Sequence, residues 1–276
     1  MLLGSCLEVV GVCVTNAHMH PRFAIMLFGF LPLKEALWYP LTLYPAILNA
    51  QALGLPFVAE ASLVGLLQIT QVVQYESMAY RRGIQLVASN PKFAFGNAND
   101  LLTGGPVLNM YANLAIAVTA GVFASQTQSA WVLGLVGFAC VGVLGFLPFN
   151  WLKFIGCALR GDAALWPPVE AYSRCVQSSP VRETWVLAFS VTALALAVAA
   201  ASPTASKRVL TKHEARLVVG SPVVYNALLG VVILCCDEDA RYARGDVWCQ
   251  FATLALAAIG LSFIVARRSV ASVKKA

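Results

Sequence analysis

The sequence predicts an all-α protein, a polytopic bundle of about seven transmembrane helices arranged as two parallel three-helix repeats joined by a linker helix. Three observations carry this. Hydrophobic residues make up 59% of the 276 and charged ones 12%, and the mean hydropathy is +0.74, well beyond what an ordinary globular domain shows. Apolar runs recur near 23–48, 57–76, 107–125, 130–149, 184–202, 217–236 and 249–266, each of a length that crosses about 30 Å of hydrocarbon, which takes roughly 20 residues. Finally, a charged signature is written twice. YESMAYRRG at 75–83 and DEDARYARG at 237–245 each set a Glu four residues before a Tyr, six before an Arg and seven before a Gly.

Taken in order, the amino-terminal MLLGSCLEVVGVCV carries Glu8 and shows neither a basic start nor an A-x-A site, so no signal or transit peptide is read there. His18 and His20 follow in NAHMHPRF, with Pro21 at a plausible first helical position. Pro32, Lys34, Glu35, Pro40 and Pro45 interrupt the first run, which is either one span or two short broken helices. The second run carries Glu60 near its start and ends on the charged signature. Sliding the chain by 162 positions sets Glu76, Tyr80, Arg82 and Gly83 on Glu238, Tyr242, Arg244 and Gly245, and Leu66-Leu67 on Leu228-Leu229. With a loop 22 residues shorter in the second copy, 111–117 lies over 251–257. The units expected are 1–128, a first three-helix repeat; 129–180, linker helix and loop; and 181–276, a second three-helix repeat.

The net charge of +6 resides in Lys and Arg between the runs. That pattern predicts contact with lipid headgroups and not with nucleic acid. On the amino-terminal side of the predicted spans lie ten of these cations against eight opposite, a slight bias for the cytoplasmic, stromal or matrix side. The eight Cys are scattered without a C-x-x-C pair, so no metal or disulfide framework is expected. No phosphate-cradling glycine loop, nucleophile elbow or H-E-x-x-H helix is present, and no catalytic residue is expected. Glu76 and Glu238, each near a helix end, either pair with the Arg six residues on or serve a ligand.

Several stretches resemble the light-harvesting chlorophyll-binding proteins. HPRFAIMLFGF at 20–30 is similar to the H-G-R-x-A-M start of that family's first helix, and Gln68 with Glu76, Tyr80 and Arg81 to its short middle helix. YANLAIAVTAGVF at 111–123 looks like the third helix, and KFAFGNANDLL at 92–102 falls where the family carries a loop like F-D-P-L-G. Across these roughly 125 residues the resemblance implies chlorophyll and carotenoid as cofactors, with His20, Gln68 and Glu76 as pigment-binding residues. The family's paired Glu and Arg of the first and third helices are represented here by Ala17, Leu108 and Asn113.

The function expected is that of a non-catalytic integral membrane subunit of a large energy-converting complex, a photosystem and antenna assembly in the thylakoid being favoured. Its partners would be other membrane subunits and lipids. The alternatives are a subunit of a respiratory or ATP synthase complex in the mitochondrial inner membrane, and a small-molecule transporter of three-plus-one-plus-three helices.

Overall fold

The structure, a computed structural model, describes residues 31–81, 105–126, 183–202 and 208–236, with short pieces at 18–19, 25–27, 29, 86–87 and 101–102 and single positions at 129, 132, 155, 159 and 260. Among them are five helices: α1 (Leu33–Leu53), α2 (Phe57–Arg81), α3 (Val107–Gln126), α4 (Glu183–Ala199) and α5 (Lys212–Cys236). Three antiparallel two-residue ladders join the loops. They pair β1 (His18–Met19) with β4 (Leu86–Val87), β2 (Met26–Leu27) with β3 (Leu31–Pro32), and β5 (Leu101–Leu102) with β6 (Gly105–Pro106).

The first predicted run begins not as helix but as the β2–β3 hairpin, and α1 starts only after Pro32. From Leu33 it is one continuous helix through Pro40 and Pro45, not two broken ones. Pro45 has no N–H, which deprives the Leu41 carbonyl of its helical donor. Ser221 on α5 takes over that role, its Oγ donating to Leu41 O at 2.7 Å. Gly54, in the left-handed region at φ 62°, ends α1 with its N–H on Gln51 O at 3.2 Å. Pro56 then leads into α2.

A helix packed among several neighbours buries side chains on more than one face, and α2 is that helix. Its Leu63, Val64 and Leu67 pack with Tyr39, Leu43, Ala46 and Ala50 of α1 and Ile116, Ala117 and Ala120 of α3. Further along, Ile69 and Val72 meet Val107, Met110, Tyr111 and Leu114 of α3 and Val186 and Leu187 of α4. Small residues bring α2 and α3 close, since a Cβ built on Gly121 would stand 2.9 Å from the Ala61 Cα. α5 packs on α1, where Val218 and the preceding Leu210 meet Leu48 and Ala52.

This packing corrects the expected fold class. Among the described residues no helix is long and apolar enough to cross a membrane, so the polytopic bundle of seven spans is not what the structure contains. The expected integral placement in a thylakoid or mitochondrial inner membrane is corrected with it. The physical reason is that hydropathy of a run does not separate a bilayer span from a helix buried among helices. Here α4 has 17 residues, about 25 Å at 1.5 Å per residue, and α1, α2 and α5 bury Thr42, Asn49, Gln68, Gln71, Glu76 and Asn226 between helices. The offset of 162 carries α2 onto 219–243, which overlaps α5 over 219–236, while α1 falls on 195–215, which holds the end of α4 and the start of α5. Apart from Val132 and Gly260, the predicted helices at 130–149 and 249–266 lie outside the described residues, as does Glu238.

The start of α5 is fixed by a capping box, T-x-x-E. The Glu214 N–H donates to Thr211 Oγ1 at 3.2 Å and the Thr211 N–H donates to Glu214 Oε2 at 2.9 Å. Arg208 spans from this cap to α1, its Nη2 on Glu214 Oε1 at 2.6 Å and its Nη1 on Gln51 Oε1 at 2.7 Å. The Thr211 N–H bond foremost, then the Thr211 side chain and Arg208, hold the Glu214 carboxyl below its ordinary value. A carboxyl lowered in the folded state stabilises fully above its unfolded value and loses that contribution as pH falls through the folded one. Acidification below the ordinary carboxylate range should therefore loosen the start of α5, and Glu214→Gln should remove that pH dependence from its amide hydrogen exchange. Thr211→Ala should lower the stability to urea by about 1 kcal/mol.

Candidate functional site

The polar groups inside the bundle converge on α2, and each faces a different neighbour. Thr42 bonds back to its own helix, Oγ1 donating to Trp38 O at 3.0 Å, and this aims a lone pair at α2. Gln68 Nε2 donates to that Thr42 oxygen at 2.9 Å. The other end of the same amide, Gln68 Oε1, is buried with no hydrogen-bond partner. At Gln71 the backbone carbonyl accepts from the Tyr225 hydroxyl of α5 at 3.2 Å. Beside it the Trp38 ring lies between Tyr75, with centroids 4.3 Å apart and rings inclined by 33°, and Tyr225, at 5.2 Å and 65°.

Glu76 lies farther along α2, buried at 3% exposure. Its Oε1 accepts from Asn113 Nδ2 of α3 at 3.4 Å. Gln68 and Glu76 are thus not brought together: they stand about 12 Å apart along the helix axis, one turned to α1 and the other to α3. His20 lies outside the described residues; His18, two residues earlier in sequence, pairs with Val87 in the β1–β4 ladder. The helix runs on to Arg81, so Glu76 is more than a turn from its end.

Two other ionisable groups are shifted by burial. Glu60, in the first turn of α2 and half-buried, has its carboxyl raised by loss of solvent. The Tyr111 hydroxyl is raised by burial too, against the opposing effect of its hydrogen bond with Ser190 of α4. Lys34 and Glu35 fall in the first turn of α1. Among the described residues no three His, Cys, Asp or Glu side chains gather as a metal site would require.

The residues reached by sequence reasoning were the ionisable ones and Gln68. Thr42 and Tyr225, which complete or extend the polar node, were missed, and Asn113 was named only as standing in place of an Arg. Their common signal is an uncharged polar side chain inside an apolar run, each a potential cross-helix hydrogen bond.

Chemically, this arrangement joins helices and sets their register; it holds no nucleophile beside a base. It also bears on the pigment expected at Gln68 and Glu76. Both side chains lie at helix interfaces, 1% and 3% exposed, and no chemistry is derived through a pigment there. Gln68→Met removes the orphaned oxygen together with the Nε2 bond to Thr42, so urea stability should change by less than about 1.5 kcal/mol. A larger loss would show that the Gln68 amide carries more than the bond to Thr42.

The class these features define is an α-helical bundle with a central buried helix cross-linked by amides, hydroxyls and rings. The chain matches no protein-family model, no curated protein and no solved structure.

Proposed function

We propose that this chain is a non-catalytic subunit of a large multi-protein assembly, an energy-converting complex being the class that its sequence favours. The observation that carries the reading is the outer face of α4. There Trp185, Phe189 and Leu196 are 62%, 71% and 64% exposed, with the two rings 6.4 Å apart. Their spacing at i, i+4 and i+11 aligns them on one helical stripe. Exposed aromatic stripes of this kind mark surfaces that a partner covers. The polar groups on α2 agree with this, since they are spent on joining helices.

The more specific form, a photosystem and antenna subunit carrying chlorophyll and carotenoid, rests on the resemblance of 20–30, 68–81, 92–102 and 111–123 and is tested by the visible absorption of the purified chain. Near-stoichiometric pigment supports it, and a colourless intact chain removes it. The general reading is tested by native separation of gently extracted source material with quantitative mass spectrometry. The chain should run with a constant set of other proteins in fixed ratio, and Trp185→Glu with Phe189→Glu should release it. A chain that migrates alone contradicts the proposal.

A further inference from the structure

One end of the bundle gathers exposed apolar side chains and cations. α5 runs antiparallel to α1: Val218 packs on Leu48 and Ala52, Ser221 bonds to Leu41, and Tyr225 meets Trp38. Its first turn therefore lies level with the turn Gly54-Leu55-Pro56 that joins α1 to α2. The segment 208–211 crosses the same end, fixed by Leu210 on Leu48 and Ala52 and by the Arg208 N–H on Gln51 O at 3.4 Å. Three apolar side chains are left in solvent there, Phe57 and Val58 of α2 and Val209 before α5, at 41%, 64% and 54% exposure. At the same end stand Arg208, Lys212, His213 and Arg216, all exposed. Of the carboxylates, Glu214 is held by Arg208 and Glu60 is half-buried in the first turn of α2. Lys212 and Arg216 are left without an acid partner among the described residues.

We propose that this end of the bundle docks on an anionic lipid surface, with Phe57, Val58 and Val209 entering the headgroup layer and Lys212 and Arg216 against the lipid phosphates and carboxylates. The docking is peripheral and needs no helix to cross the bilayer. Charge complementarity together with the apolar tips selects this partner. An acidic polypeptide or a nucleic acid would match the cations and leave the apolar side chains uncovered, and an apolar protein groove would strip the cations of water without pairing them. A bilayer interface sets anionic groups directly beside hydrocarbon, so one surface satisfies both. The long stems of Lys212 and Arg216 suit that boundary, because they can lie along apolar surface while their charged heads stay at headgroup level. The docking uses other side chains than the α4 stripe and stands or falls independently of it.

The test is cosedimentation of the purified full chain with phosphatidylcholine vesicles, with and without about one-third phosphatidylserine. Binding to the anionic vesicles is expected, weakening as salt is raised, and binding to the neutral ones should be at least about tenfold weaker. Lys212→Gln with Arg216→Gln should weaken the former about 25-fold, roughly fivefold for each charge. Val58→Ser with Val209→Ser should weaken it at least about fivefold. Leu228→Ser with Val231→Ser, about 25 Å farther along α5, should leave it unchanged. All six positions are exposed, so circular dichroism should show an unchanged helix content. Equal affinity for neutral vesicles, indifference to either pair of changes at the docking end, or an equal loss from the distant pair overturns the proposal. Binding to polyglutamate as tight as to the anionic vesicles does so too.

Discussion

Replacing Gly121 by alanine should lower the free energy of unfolding in urea by about 2 kcal/mol, within the range for adding a methyl to a filled interface. The new Cβ meets the Ala61 Cα at 2.9 Å and the Val64 Cβ at 3.2 Å. Neither atom can turn aside, because one is backbone and the other is fixed to it, so α2 and α3 must move apart along a buried surface. Gly65 provides the comparison. There the nearest atom is Val118 Cγ2 at 2.6 Å, the end of a side chain that has other rotamers. Gly65→Ala should cost less than Gly121→Ala, and the reverse order would show that the α2–α3 contact is misplaced.

Trp38→Ala should cost about 3 kcal/mol, near the lower end for losing a large aromatic side chain because the indole is only partly buried. It packs against both main clusters of the core and carries ring contacts to Tyr75 on α2 and Tyr225 on α5. Its removal weakens the attachment of α5 as well as the core. Combined with Tyr225→Phe, which deletes the hydroxyl donated to Gln71 O, the two changes should be less than additive, because they disrupt one junction. Full additivity in a double-mutant cycle would separate the ring contact from the hydrogen bond. Trp38→Phe should recover most of the lost stability.

The positions of the described helices were largely legible, because apolar runs report burial whatever covers them. The run near 107–125 is α3 at Val107–Gln126, and 184–202 is α4 at Glu183–Ala199. The errors are local. Helix α1 starts ten residues late because the β2–β3 hairpin takes the beginning of its run, and α5 starts five residues early because Thr211 and Glu214 form a capping box that charge alone disguised. What covers the runs was not legible. A helix enclosed by other helices and one enclosed by lipid have the same composition, and only the three-dimensional contacts of α2 distinguish them.

The same limit applies to the site. Gln68 and Glu76, singled out in sequence, turn to Thr42 and Asn113 respectively. Partners 26 and 37 residues away leave no trace in local spacing, and Arg208 reaches Gln51 across 157 residues. Asn113, which stands where the resembling family carries an Arg, donates through its amide to Glu76.

The claim that most of this depends on is that α2 is the enclosed centre of the described bundle. Native-state amide hydrogen exchange of the full chain tests it most directly, since protection follows the free energy of the opening that exposes each segment. Residues 61–72 of α2 should exchange slowest, with α3 next and α5 distinctly faster. Equal protection across all five helices, or α5 outlasting α2, would contradict it.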